Sequence, residues 1–462
     1  MLPIITDLLK LLDRQDELLA SSSEKWFQGN EIAALAGDVE GCIQESPYGA
    51  VGISSSSGPH FLAVLLTAMK AERPQILFGS KWPMHELQSA LLSSPCSILI
   101  SDQDRVKDLV VEDWDMRRAG HFYVWTKKGR LQPICPDGEW LGQFTSGTTG
   151  RSRLVIRSWD AIADEIHALE EAVELPEGGT FFNMAPFHHS YGFCGGFIWP
   201  LLRGSKVYTV SDFFPSACRK RWVQLQPVVV YGLPFQYEFI STSPGEDVPV
   251  PIRAFSAGGP LTGDLREKAY ANLGILISNN YGCTEAGTLC IYPEMPPEEN
   301  SSSVGWPLPN RRFQIIEGNQ LSVTGKCLMD RYFDSPPVSI PYRTGDLGAI
   351  REDGCVQVSG RLRHVIQVGG VKVSPEKVED ALKSHPAVAE AVVMGKPSPG
   401  FHEQVHAFIE LVNPGSVREE ELREYCKLCL LPVEVPKRIF ILDQIPKSDT
   451  GKVQGKYLIE VQ

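Results

Sequence analysis

Residues 144–153 read Phe-Thr-Ser-Gly-Thr-Thr-Gly-Arg-Ser-Arg and crowd hydroxyls and glycines into one segment. Thr145, Ser146, Thr148 and Thr149 offer adjustable O–H donors, while Gly147 and Gly150 let backbone N–H groups approach an anion with no Cβ in the way. That chemistry suits a polyphosphate, although a polar surface turn would use the same residue types. The run is not a Walker A loop. Its glycines lie too close together and no Gly-Lys-Ser/Thr follows, which disfavours ATPases and GTPases built on that loop.

Later runs carry complementary groups. Asn280-Tyr281-Gly282-Cys283-Thr284-Glu285 sets an aromatic ring, a hydroxyl and a carboxylate in one expected short loop, just after the apolar run 275–278. The ring can stack on adenine, Thr284 can bond a phosphate oxygen, and Glu285 can help hold Mg²⁺, a hard ion that takes oxygen ligands. Asp346, in Tyr342-Arg343-Thr344-Gly345-Asp346-Leu347, can accept from both vicinal hydroxyls of a ribose or can be an ordinary turn aspartate. Arg361 and Arg363, in Gly360-Arg361-Leu362-Arg363, precede Gly369, Gly370 and Glu376, and Pro446-Lys447-Ser448-Asp449-Thr450-Gly451-Lys452 adds a further lysine.

These groups need a scaffold. Apolar runs at 51–54, 97–100, 182–184, 228–231 and 275–278 alternate with helix-patterned segments such as 61–70. That alternation predicts an α/β protein with a large N-terminal domain of mostly parallel sheets and flanking helices. Ligands of such sheets bind beyond the carboxyl ends of the strands, where 280–285 falls. Apolar residues between Ile4 and Leu19 are spaced for an amphipathic helix, without the basic start and cleavage site of a signal peptide. From about Gly360 the pattern changes to short strands at 365–367, 391–394 and 406–411, with helices near 375–384 and 418–430. The expected division is a domain over 1–359, a hinge at 360–363 and a small mobile α+β domain over 364–462.

Composition narrows the partners. The 462 residues hold 44 basic and 56 acidic side chains, a formal net charge of −12, which disfavours nucleic acid as a partner. The basic cluster Arg219-Lys220-Arg221 reads as a solvated turn or helix end. No apolar stretch approaches the roughly 20 residues of a membrane span. Eleven cysteines, scattered singly and odd in number, suit a reducing compartment, so a cytoplasmic location is expected. Cys426 and Cys429 read as one face of a helix rather than a metal pair, and His188-His189, if on a strand, would point to opposite faces.

Taken together, Thr-Ser-Gly-Thr-Thr-Gly (145–150), Tyr-Gly-x-Thr-Glu (281–285), Tyr-Arg-Thr-Gly-Asp (342–346), Gly-Arg-x-Arg (360–363) and Lys-x-x-x-Gly-Lys (447–452) resemble the successive signatures of the adenylate-forming superfamily. That superfamily includes acyl- and aryl-CoA synthetases, adenylation domains of nonribosomal peptide synthetases, and firefly luciferase. The resemblance spans roughly residues 50–460. It implies a nucleotide site of Thr145, Ser146, Gly147, Thr148, Thr149, Gly150, Arg153, Gly258, Gly259, Pro260, Tyr281, Gly282, Thr284, Asp346, Arg361 and Lys452. It also implies Glu285 at Mg²⁺, Arg363 as the hinge residue, and Lys452, Thr284, Glu285 and His189 as catalytic groups. A thiol tunnel would pass His189, Gly369 and Gly370, and an acid pocket would use His189, Tyr191, Tyr231, Asn279 and Gly282, with Phe235 a further candidate.

The implied reaction answers what a carboxylate lacks. Its negative charge and poor leaving group resist nucleophiles; attack of its oxygen on the α-phosphate of ATP gives an acyl-adenylate whose leaving group is AMP, with release of pyrophosphate. Two anions meet in that step, so stabilisation must be largely electrostatic, from Mg²⁺, Lys452 and the loop donors. A second step would pass the acyl group to a phosphopantetheine thiol, of CoA or of an acyl or aryl carrier protein, after the C-terminal domain rotates and withdraws Lys452.

The loop Ala185-Pro186-Phe187-His188-His189-Ser190-Tyr191 lacks the aspartate that pairs with an α-ammonium group in amino-acid-activating relatives. A fatty or aromatic acid is therefore the expected substrate. Two departures stand out. Ser152-Arg153-Leu154 replaces the usual Pro-Lys-Gly, keeping the charge and changing its geometry, and Gln367 stands where a lysine is common, which supports thioester transfer less firmly than adenylation. A short segment before the first signature favours a carrier protein over CoA. Arg153 and Gln367 also raise the alternative of a non-catalytic nucleotide binder, opposed by Glu285, Asp346 and Lys452; a luciferase-like oxygenase would share the same signatures.

Overall fold

The computed structural model describes residues 2–21, 25–56, 58–129, 139–145, 153–361, 366–368, 371–373, 375–398, 402–430, 432–448, 453–454 and 457–458. Strands Thr180–Asn183, Lys206–Thr209, Val229–Gly232, Arg253–Ser256 and Ile277–Cys283 form a parallel array at the centre of a 13-stranded sheet. Phe181, Phe182, Val229, Val230, Ala254, Phe255 and Ile277 are buried on both faces of it. Helices cover both sides, which is why these strands read as continuous apolar runs. Beyond Ile277–Cys283 the sheet turns antiparallel through Gly287–Tyr292, Ser303–Pro307, Val356–Arg361 and Tyr342–Ile350.

A second, 8-stranded sheet has its own parallel centre in Ala50–Ser54, Gln75–Leu77, Cys96–Ser101 and Trp140–Phe144. Helix Gly58–Lys70 is apolar almost all round because it shares one core with strands of both sheets: Phe61, Leu62 and Leu65 pack in the cluster that holds Val51, Ile98, Phe181 and Val229. The chain after 366 builds a separate 5-stranded sheet with helices Pro375–Lys383 and Glu419–Cys429 around Val378, Leu382, Val393, Ile409 and Leu422. The fold is thus a large α/β N-terminal sheet domain and a smaller C-terminal one. No helix among the described residues is long and apolar enough to cross a membrane.

Four expectations change. The N-terminal helix stops at Leu9 and a 3₁₀ turn at Asp13, and Leu18 and Leu19 lie in strand Glu17–Ala20, buried beside Val207 and Tyr208. Adjacent buried leucines suit a strand covered on both faces, which helical spacing does not distinguish. Residues 280–283 are the end of a strand rather than a loop, because Ile277–Cys283 continues into a hairpin with Gly287–Tyr292. His188 and His189 sit in a turn, not on a strand, with ring centroids 4.1 Å apart. Arg219 is buried within helix Pro215–Leu225 and donates to the carbonyls of Ile240, Ser243 and Glu246, so it clamps a connection instead of joining a solvated basic patch. On helix Glu419–Cys429, Cys426 is buried and Cys429 exposed.

Candidate active site

The hydroxyl-rich segment is bounded by two strands, Trp140–Phe144 and Leu154–Ser158, that pair antiparallel. Its ends are fastened by two bonds: Thr145 N–H donates to the Arg153 carbonyl at 2.9 Å, and Arg153 N–H donates to Thr145 Oγ1 at 3.1 Å. Ser146, Gly147, Thr148, Thr149 and Gly150 lie outside the described residues, as do Arg363, Gly369, Gly370 and Lys452. The Arg153 side chain turns onto Tyr332, its guanidinium carbon 3.2 Å from the ring centroid. The Tyr332 hydroxyl donates to Glu285 Oε1 at 2.8 Å. Burial, reinforced by the Glu285 charge, pushes that phenol up to about 12, so it remains a donor.

Glu285 sits in the turn of the hairpin between Ile277–Cys283 and Gly287–Tyr292. Gly282 has to be glycine there, since a Cβ would fall 2.1 Å from the Gly287 carbonyl oxygen. Tyr281 on that strand donates to Asp346 Oδ2 at 2.5 Å. Asp346, on strand Tyr342–Ile350, is only 2% exposed; its N–H donates to Thr344 Oγ1 at 3.1 Å, and its register partner on the next strand is Arg361. The aromatic expected beside adenine and the carboxylate expected at the ribose are therefore joined, with Arg361 adjacent.

At the carboxyl ends of the parallel strands a cavity is lined by His189, Tyr191, Leu233, Gly258, Gly282 and Thr284. Gly258 takes a φ of 87° in the turn after Arg253–Ser256, followed by Gly259 and Pro260. His189 is presented by the turn after Thr180–Asn183, directly before a π-helical stretch Tyr191–Ile198, a widened geometry frequent at functional sites. Tyr191 is pinned by donating to the Gly232 carbonyl at 3.1 Å.

Two expected pocket residues are absent from this wall. Tyr231 is wholly buried among Phe181, Tyr191 and Phe255, and Asn279 turns away to donate to the Ser303 carbonyl at 3.2 Å. Asn280 lines the cavity instead, because neighbours on a strand face opposite sides. Phe235 packs against Phe213 and Phe239. Ser190 and Thr288 also line the wall and carry no sequence signature. Among the described residues no group of three or more His, Cys, Asp or Glu is arranged to hold a metal ion.

Comparison with known proteins follows the same division of the chain. Residues 41–332 match the family model described as AMP-binding enzyme, and residues 377–452 match that of the AMP-binding enzyme C-terminal domain. The chain is 26% identical to a probable CoA ligase of Humulus lupulus over 68% of its own length and 65% of the relative's, just under two thirds of that protein. It is 29% identical to the 3,4-dihydroxybenzoate–[aryl-carrier protein] ligase of Bacillus anthracis, over 78% of this chain and 84% of that one. The solved o-succinylbenzoate CoA synthetase of Bacillus subtilis, in complex with an acyl-adenylate intermediate, superposes with a TM-score of 0.80 at 20% identity, covering 99% of this chain and 98% of that one.

Proposed function

The chain belongs to the AMP-binding enzyme family, and on that premise we propose that it is an acid–thiol ligase: it activates a carboxylic acid as an acyl-adenylate and passes the acyl group to a phosphopantetheine thiol. The observation that carries this reading is the convergence of Thr145 and Arg153, the Tyr281–Asp346 pair, Glu285 and the cavity wall of His189 and Thr284. Asp346 holds the ribose diol, Tyr281 the adenine side, and the hydroxyl-rich run 145–150 with Arg153 the phosphates. Lys452 stabilises charge as the acid oxygen attacks the α-phosphate.

A hard divalent cation fits the residues present. Glu285 is partly exposed beside Thr284, and its contact with Tyr332 is to a neutral hydroxyl, so that contact does not cancel its charge. Glu285 and Thr284 would hold Mg²⁺, which offsets the negative charge of the phosphates.

The domains of this reading are 1–359 and 364–462, with 360–363 as a hinge that lets the smaller domain withdraw Lys452 and bring Gly369-Gly370 toward His189 for thiol entry. The acid is fatty or aromatic rather than an α-amino acid, and the thiol belongs to CoA or to a carrier protein. All described cysteines are free, in keeping with a cytoplasmic setting. The test is pyrophosphate exchange across a panel of acids, repeated with CoA and with a holo-carrier protein. Acid-dependent exchange followed by thioester supports the reading; ATP binding with no acid-dependent exchange would replace it with a non-catalytic nucleotide binder.

A further inference from the structure

Behind the acid cavity lies an ion pair that adenylation does not require. Arg157, from strand Leu154–Ser158, and Glu165, from helix Trp159–Ala172, are 1% and 0% exposed, and Arg157 Nη2 donates to Glu165 Oε2 at 2.8 Å. The other Glu165 oxygen accepts from the Thr288 backbone N–H at 2.8 Å, and Arg157 Nη1 donates to Ser190 Oγ at 3.1 Å. Ser190 and Thr288 both line the cavity. Taking such a pair out of water carries a large desolvation penalty, and apolar side chains of similar volume often serve stability as well or better. Its placement against the cavity wall gives it a second use.

Arginine only donates hydrogen bonds. Ser190 Oγ is therefore the acceptor in its bond with Arg157, and its own O–H must point elsewhere. Among the described residues its other hydrogen-bonding neighbour is Cys194 Sγ at 3.9 Å, a weak acceptor at long range. The cavity is the remaining direction. Asn280 supplies a second, independent donor: it is 3% exposed, lines the same cavity, and its Nδ2 has no hydrogen-bond partner among the described residues. An unmet buried donor is costly to the fold, and an acceptor on a ligand would relieve it.

Charge selects the kind of acceptor. Glu165 already offsets Arg157, and no lysine or arginine is among the described residues lining the cavity. His189 is the one described lining side chain that can carry positive charge, and in the acid-activation reading it serves the acid's own carboxyl group. A second carboxylate would therefore be desolvated with no counter-charge of its own, whereas a neutral oxygen or nitrogen would be satisfied. Resting on the acid-activation reading above, we propose that the substrate acid carries a neutral hydrogen-bond acceptor beyond its carboxyl group. The acceptor is a carbonyl, ether, hydroxyl or ring-nitrogen atom, received by Ser190, whose hydroxyl Arg157 directs, with Asn280 as the second donor.

The test compares matched acids in pyrophosphate exchange: benzoic against hydroxybenzoic and pyridinecarboxylic acids, and hexanoic against 5-oxohexanoic and adipic acids. The wild-type enzyme favours a neutral-acceptor acid over its apolar and dianionic counterparts by on the order of 10²-fold or more in kcat/KM. Ser190→Ala brings that preference to within about tenfold. The double change Arg157→Met, Glu165→Met leaves Ser190 in place but undirected and lowers the same preference, with a melting curve confirming the fold. Preference for an apolar or dianionic acid, or a preference that survives Ser190→Ala, overturns the proposal. Failure of every acid to support exchange is a separate result and overturns the acid-activation reading itself.

Discussion

The phenol of Tyr281 donates to Asp346 Oδ2 across 2.5 Å, although 65 residues separate the two in the chain. The strands that carry them are not neighbours either: Gly287–Tyr292, Ser303–Pro307 and Val356–Arg361 lie between them in the sheet order, so the sheet must curl to bring the two side chains together. Burial, with the Asp346 charge adding to it, holds the Tyr281 phenol well above its ordinary pKa. It therefore stays protonated and a donor, and Asp346 is oriented before any nucleotide arrives. Part of the ordering cost of binding is met by the fold.

Tyr281→Phe keeps the ring and removes that donor. A hydrogen bond to a charged group contributes about 1.5–3 kcal/mol, so the KM for ATP should rise by roughly 10–10²-fold while kcat changes little. Pyrophosphate exchange at varied ATP measures it. A cycle with Asp346→Asn assigns the loss to the pair; full additivity of the two changes would show that Tyr281 acts independently of Asp346.

Arg153, Tyr332 and Glu285 form a second relay, from the hydroxyl-rich segment to the proposed metal carboxylate. Lysine at 153 would keep the charge but lose the planar face that lies on Tyr332, so Arg153→Lys should raise the KM for ATP several-fold, an effect of roughly 1 kcal/mol. Tyr332→Phe keeps the ring under Arg153 and loses only the bond to Glu285. It should raise the Mg²⁺ concentration for half-maximal exchange about fivefold and leave the ATP dependence nearly unchanged. Parallel shifts in both dependences for both variants would contradict this division of roles.

Thr145, Glu285 and Asp346 are legible in the sequence because each sits in a short run whose residue types state their chemistry. The parallel strands are legible too, since a strand buried on both faces must be an apolar run. Contacts across the fold are not. Tyr332 reaches Glu285 over 47 residues and Arg157 reaches Ser190 over 33, and neither pair leaves a local pattern. The resemblance implies Asn279 and Tyr231 as pocket residues, but strand alternation turns Asn280 to the cavity and Tyr231 lies in the core. One residue of register is enough to exchange a wall position for a packing position.

Lys452 is expected to act as the preorganised cation of the adenylation step. The chain before and after it is fastened: Lys447 and Val453 form an antiparallel bridge, and the Tyr457 hydroxyl donates to Glu86 Oε1 on helix Met84–Leu92 at 2.8 Å. Lys452→Ala should slow adenylation by roughly 10²–10³-fold, with thioester formation from a supplied acyl-adenylate barely affected. Tyr457→Phe should show the same asymmetry more weakly. Equal losses in both half-reactions would argue for a general structural role, and near wild-type exchange in Lys452→Ala would remove the lysine from the mechanism.

Glu379 gives the C-terminal unit a pH-dependent stability. Its carboxyl, on helix Pro375–Lys383, accepts from the Val393 N–H at 2.8 Å in a partly buried setting. Burial raises its pKa from 4.5 to about 7, with Glu376 and Glu390 adding to the rise and the Val393 bond and Lys383 opposing it. Between those two values the folded protein keeps a proton that the unfolded chain releases, so stability falls as pH rises through the window. Glu379→Gln preserves an acceptor for Val393 and cannot ionise. At pH 8 the variant should be the more stable protein, by up to about 3 kcal/mol, and the difference should shrink toward zero at pH 5. Denaturant unfolding monitored in the C-terminal unit at the two pH values decides it: an equal difference at both would show that the charge on Glu379 is not what the fold opposes.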